Sequence, residues 1–132
     1  MNYIATKTNY FGITDRQAFN ALIARTDAED TIEVLERLDE PGKVALACRG
    51  CIYGLKDDDS WDASGFTSGL QNLLAPGDAI ILQEVGAEGI RCVWGMAIII
   101  TRDAIEYLNL DEVAFGAARN MLGYEWSTTM DE

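Results

Sequence analysis

The spacing of apolar positions changes several times along the chain, and each change predicts an element. Residues 3–13 are rich in Thr, Tyr, Phe and Ile and read as a strand. Thr14-Asp15-Arg16-Gln17 matches the S/T-x-x-E/Q capping box. It predicts a helix with Ala18, Phe19, Leu22 and Ile23 on one face, ending near Arg25. Over residues 31–38 the alternation is imperfect, with Ile32 and Val34 opposite Glu33, and either a strand or a short helix can carry it. A strand is favoured, because Glu40-Pro41-Gly42 is a turn and residues 44–48 behind it are strand-like, which makes a hairpin. Cys51-Ile52-Tyr53-Gly54 reads as strand and turn, and residues 56–64 as a polar loop. Phe66, Leu70, Leu73 and Leu74 recur at i, i+4, i+7 and i+8, so a second helix ends before Pro76-Gly77.

Residues 78–110 carry the clearest pattern. A strand over 79–85, a turn at Gly86-Ala87-Glu88-Gly89, a long strand over 90–101, a turn at Arg102-Asp103 and a strand over 104–108 form an antiparallel meander. Ile98-Ile99-Ile100 is apolar on both faces, which predicts a central, covered strand. Asp111 can cap a last helix with Val113, Ala114, Ala117, Ala118, Met121 and Leu122 as its apolar positions, and Gly123 fits its stop. This order predicts an α+β fold: a largely antiparallel five- to six-stranded sheet with about three helices packed mainly on one face. One domain over residues 1–123 and a C-terminal tail over 124–132 are expected.

Charge changes this picture more than composition does. The chain has 132 residues, is 48% hydrophobic, and carries a formal charge of −12 with no histidine. Eleven carboxylates against four bases lie between Asp27 and Asp62. Such a surface repels nucleic acid and anionic membranes and attracts basic partners. Without histidine the commonest general base is missing. No stretch approaches the ~20 apolar residues of a membrane helix. The N-terminus lacks a basic region followed by an apolar one, so a cytoplasmic location is expected.

Three cysteines argue against a disulfide scaffold. Cys48 and Cys51 form a C-x-x-C, but only Cys92 remains as a further sulfur for zinc. A thioredoxin-type site needs its first cysteine at a helix start, where this pattern reads as a strand. Ordinary buried thiols are the favoured reading, and no metal or cofactor is expected.

Two further stretches carry a resemblance. Ala5-Thr6-Lys7-Thr8-Asn9-Tyr10-Phe11-Gly12-Ile13-Thr14-Asp15 resembles the opening of a family of small, mostly uncharacterised bacterial proteins associated with phages, plasmids and other mobile elements. The segment from Leu74-Ala75-Pro76-Gly77-Asp78 through Ile80-Ile81-Leu82-Gln83-Glu84-Val85-Gly86 is similar to the same family, as is Glu88-Gly89-Ile90-Arg91-Cys92-Val93-Trp94-Gly95. With the last helix, the resemblance covers about two thirds of the chain, and the acidic middle departs from it. It brings no activity and no catalytic residues. It implies the context of an accessory or counter-defence factor.

The acidic segment supplies the candidate partner-binding residues: Glu29, Asp30, Asp57, Asp58, Asp59, Trp61 and Asp62. Read blandly, these carboxylates confer solubility. Read functionally, they are a decoy for DNA, whose duplex presents one negative charge per roughly 1.7 Å of axis to basic grooves. Asp57-Asp58-Asp59 with Asp62 fails the EF-hand pattern: the sixth residue is Asp62 where glycine is required, and the twelfth is Ser68 where glutamate is required. Trp61 beside acids suits a protein interface, Trp94 is expected in the core, and Trp126 belongs to the tail.

A second candidate is a pocket between sheet and helices near Glu84, Arg91 and Tyr107. If Val85 pairs with Ile90, Glu84 lies opposite Arg91, which is most simply a cross-strand ion pair. No G-x-S-x-G, P-loop, H-E-x-x-H or G-x-G-x-x-G is present, so no catalytic residue is assigned. The favoured function is a non-enzymatic acidic protein masking a basic nucleic-acid-binding surface on a host protein. The alternatives are a small-molecule binder or unrecognised enzyme, and a homo-oligomeric accessory protein, such as a homodimer, joined through its tail and an exposed sheet face.

Overall fold

The computed structural model describes residues 2–126 and 128. Its elements run β1 (Asn2–Thr8), β2 (Phe11–Gly12), α1 (Arg16–Ala24), β3 (Thr26–Ala28), β4 (Glu33–Leu35), β5 (Lys43–Cys48), β6 (Ile52–Asp57), β7 (Ser60–Asp62), α2 (Ala63–Leu73), β8 (Ile80–Glu88), β9 (Cys92–Ile100), β10 (Ile105–Asn109) and α3 (Leu110–Leu122). The fold is α+β. A seven-stranded sheet has the order β10-β9-β8-β1-β5-β2, with β4 also paired to β5, and β3-β6-β7 form a smaller sheet. The described pairings are antiparallel.

Register divides the main sheet into two unlike faces, because residues paired across strands point the same way. One face carries Ile80 and Leu82 of β8, their partners Ile100 and Ile98 of β9, and Val44 and Leu46 of β5. Phe19 and Leu22 of α1, Phe66 and Leu70 of α2, Leu74 and Leu55 of β6 close over them in one core. Phe11 meets Phe19 edge to face within it. A β-bridge between Ile13 and Leu74 and the bond from Thr14 N to the Leu73 carbonyl tie the two helices' ends together.

Several expectations shift. The capping box predicted Thr14 as the cap of α1, yet Asp15 fills that position and accepts from Ala18 N at 3.0 Å. A carboxylate takes the orphan amide as readily as a hydroxyl, and Thr14 is engaged with Leu73 instead. Asn109, not Asp111, caps α3 by accepting from the amides of Asp111 and Glu112. Gly123 ends that helix in the left-handed conformation at φ 78°.

The expected polar loop over residues 56–64 is a hairpin plus a helix start. Asp57-Asp58-Asp59-Ser60 is the turn joining β6 to β7, with Asp58 at φ 51°, and Asp62 caps α2. Strand β8 runs through the expected turn to Glu88, so the turn falls at 89–91. β9 is second from the edge, not central, and only the first turn of α3 reaches its second face, where Leu110 packs on Gly95.

Candidate functional site

The small sheet gathers most of the acidic candidates. It lies beside α2 on the covered side of the main sheet, with Ile52, Tyr53 and Gly54 facing Thr6, Leu82, Glu84 and Met96 across a narrow cavity. Asp27 is on β3, Asp62 on β7, and Asp57, Asp58 and Asp59 form the hairpin tip. Glu29 and Asp30 follow β3 at the opposite end of β6, since Glu29 N bonds the Cys51 carbonyl. Five residue steps along β6 separate those ends, about 17 Å at strand rise.

Backbone and ring donors hold several of these carboxylates. Glu29 accepts from Cys51 N at 3.2 Å, Asp30 from Thr31 N at 2.7 Å, and Asp62 from Gly65 N at 2.8 Å. Asp27 accepts from the Trp61 indole N–H at 2.8 Å. The described ion pairs engage other acids: Glu36 with Arg16, and Asp39 and Glu40 with Arg37 and Lys43. Asp57, Asp58 and Asp59 are exposed.

Trp61 is the exposed large aromatic of this surface. It remains 52% exposed, although its ring stacks on Tyr53 with centroids 4.5 Å apart and its N–H is tied to Asp27. Gly54 makes the arrangement possible. Its φ of 127° interrupts the strand alternation, and a side chain there would meet the Asp62–Ala63 backbone at 2.6 Å. Burial and then the Glu29 carboxylate raise the Tyr53 pKa. Sequence reasoning missed Asp27 and Tyr53 as parts of this surface, because nothing local pairs residues 27, 53 and 61.

The three residues of the second candidate do not converge. Val85 pairs with Gly95 and Glu84 with Met96, so the register places Arg91 in the turn rather than opposite Glu84. The continuation of β8 to Glu88 causes this shift. Tyr107 pairs with Ile98 on β10, two strands from Glu84. Glu84 instead accepts from the Trp94 indole N–H at 3.2 Å. Trp94 is half-buried, and its ring lies over Gly86, where a Cβ would collide with it.

The cavity beside Glu84 is about 60 Å³. That admits a few waters and falls well below the ~300 Å³ at which small-molecule pockets begin. Cys51 adjoins it. Burial, with the Glu84 and Glu29 carboxylates, pushes the Cys51 thiol up to about 11. A thiol held protonated at neutral pH is the reverse of an activated nucleophile. Burial chiefly, and then acidic neighbours led by Asp30, also raise Cys48, although its bond to the Asp30 carbonyl opposes the shift. All three cysteines are free, and among the described residues no group of three or more His, Cys, Asp or Glu is placed to hold a metal ion.

Among the described residues, no helix is long and apolar enough to cross a membrane. Comparison with protein-family models, curated proteins and solved structures finds no match to this chain.

Proposed function

We propose that the protein is a non-enzymatic acidic binding protein that uses its β3-β6-β7 sheet to mask a basic, nucleic-acid-binding surface on a host protein. The observation that carries this reading is the exposed Trp61 stacked on Tyr53 and anchored by Asp27, opposite Lys56 on a small sheet that carries Asp57, Asp58, Asp59 and Asp62 at one end and Glu29 and Asp30 at the other. An exposed indole held on two sides has already lost its rotamer freedom, which lowers the entropic cost of using it in an interface. Its free face suits an arginine guanidinium, which the neighbouring carboxylates then pair.

Charge density supports a decoy for duplex DNA. Over about 17 Å, a duplex presents roughly ten phosphates. The small sheet offers Asp27 and the six acidic candidates over a comparable span. The resemblance to mobile-element proteins supplies a context in which such masking serves counter-defence in a bacterial cytoplasm.

The test is capture of partners from a bacterial host lysate at low and high salt, with wild type beside the triple variant Asp57→Lys, Asp58→Lys, Asp59→Lys and beside Trp61→Ala. The expected result is a basic nucleic-acid-binding protein that is retained at low salt, released at high salt and lost with either variant. Binding that survives the triple reversal at low salt defeats the electrostatic reading.

A further inference from the structure

The second face of the main sheet is open and apolar. By register it carries Tyr3 and Ala5 of β1, Ile81, Val85 and Ala87 of β8, Val93, Ala97 and Ile99 of β9, and Leu108 of β10. Tyr3, Ile81, Val85, Val93 and Leu108 are all exposed, Val93 by 61%. Contiguous apolar exposure of this kind marks an interaction surface.

Charge on this face is balanced. Its strand residues include Lys7, Lys43, Glu33 and Glu106 as the charged positions, a net of zero on a chain of −12. A basic partner finds there only Glu33 and Glu106, offset by Lys7 and Lys43. Two copies of this chain, which repel through the acidic small sheet, meet at this face with far less of that penalty, since α3 adds only Asp111, Glu112 and Arg119, a net of −1.

The chain also supplies an apolar element that it does not itself bury. Leu110, Val113, Ala117 and Met121 recur at i, i+3, i+7 and i+11 along α3, a single stripe, yet the helix has no buried residue. The stripe begins on the open face, where Leu110 and Val113 line a groove of about 250 Å³ with Val85, Ala97 and Leu108. It ends on Met121, which is 87% exposed.

We infer that the open sheet face and the α3 stripe together form a two-fold homodimer interface, each copy's α3 covering the other's sheet. An isologous contact requires one patch that complements itself, and an apolar sheet beside an uncovered apolar helix is such a patch. The four strands at about 4.8 Å spacing and seven residues at about 3.3 Å span roughly 440 Å². The 13-residue helix adds roughly 200 Å², about 20 Å by 10 Å, bringing the patch to roughly 640 Å², within the ~600–1,000 Å² each partner buries in a standard interface. In this dimer the acidic small sheets lie on the far side of each main sheet and stay free. The inference stands apart from the masking function and survives its failure.

The test is light scattering on the full chain, coupled to size exclusion, at micromolar concentration and at two salt concentrations. Wild type is expected at twice the 14.5 kDa chain mass, more so at high salt, which screens the residual repulsion. Val93→Glu and, separately, Met121→Glu are expected to give monomers with wild-type circular dichroism. Because the interface carries each change twice, either variant weakens association by roughly a hundredfold or more. A wild-type monomer at both salts overturns the inference, as does a dimer that both variants leave intact.

Discussion

The two faces of the main sheet are built from the same strands and reach opposite ends. On the covered face, Ile80, Leu82, Ile98 and Ile100 are sealed beneath α1, α2 and the small sheet. On the other face, Ile81, Val85 and Val93 remain exposed on neighbouring positions of those strands. Amino-acid type does not separate the two sets, since both are aliphatic and β-branched residues are common to each. What separates them is whether another element of the chain lies above. The charge divides the same way: the small sheet over the covered face carries the acids, and the open face is neutral.

The comparison breaks most directly by truncating one residue from each face. Phe19 has no exposed surface and packs against Phe11, so Phe19→Ala is expected to cost about 3–5 kcal/mol. Val93→Ala, measured in urea at a concentration low enough to keep the chain monomeric, is expected to stay within about 0.5 kcal/mol. A comparable cost at both positions removes the distinction between the faces.

A pH series sharpens the picture on the covered side. Cys51 is raised from 9.0 to about 11 by burial and by Glu84 and Glu29. Below pH 9 the thiol is protonated in both the folded and unfolded chain. Between pH 9 and 11 the unfolded chain releases the proton while the folded chain keeps it, so stability falls as pH rises, by about 2 kcal/mol for this group. Cys51→Ala is expected to flatten that part of the urea-denaturation profile. A residual slope of the same sign remains from Cys48 and Tyr53, which burial chiefly also raises. An unchanged profile in the variant refutes the assignment.

The smallest effect comes from the helix caps. Asp15→Ala removes the acceptor at the start of α1, a helix that seals the core, and is expected to lower global stability by about 1 kcal/mol. Asn109→Ala removes the equivalent acceptor from α3, none of whose residues is buried in the monomer. It is expected to fray that helix, seen as faster amide exchange over residues 110–114, while the monomer's unfolding midpoint moves by less than about 0.3 kcal/mol. Equal shifts in the midpoint would show that α3 belongs to the cooperative core.

Much of the fold was legible in the chain, and the misreadings share a cause. The 3.6-residue spacing of Phe66, Leu70 and Leu74 located α2, and Pro41-Gly42 located the turn between β4 and β5, which pair as expected. The triad Asp57-Asp58-Asp59 read as a loop because three adjacent carboxylates have poor strand propensity, but they need only span the tip of a hairpin whose strands are held from elsewhere. Glu84 and Arg91 were paired on an assumed turn. A glycine at 86 resembled that turn, whereas its small size serves the Trp94 ring lying across the strands. The Trp61, Tyr53 and Asp27 cluster left no local trace, because its members meet only after β3, β6 and β7 align.

Local chemistry therefore determined the class of the longer elements, the acidity of the middle segment and the absence of a recognisable catalytic motif. Those depend on residue type and on spacings of two to four positions. Tertiary structure alone decided which apolar face is covered, which register β8 and β9 adopt, and which acid anchors the exposed indole. Each of these depends on strands separated by tens of residues, and a periodic pattern states that a face is apolar without stating what will lie against it.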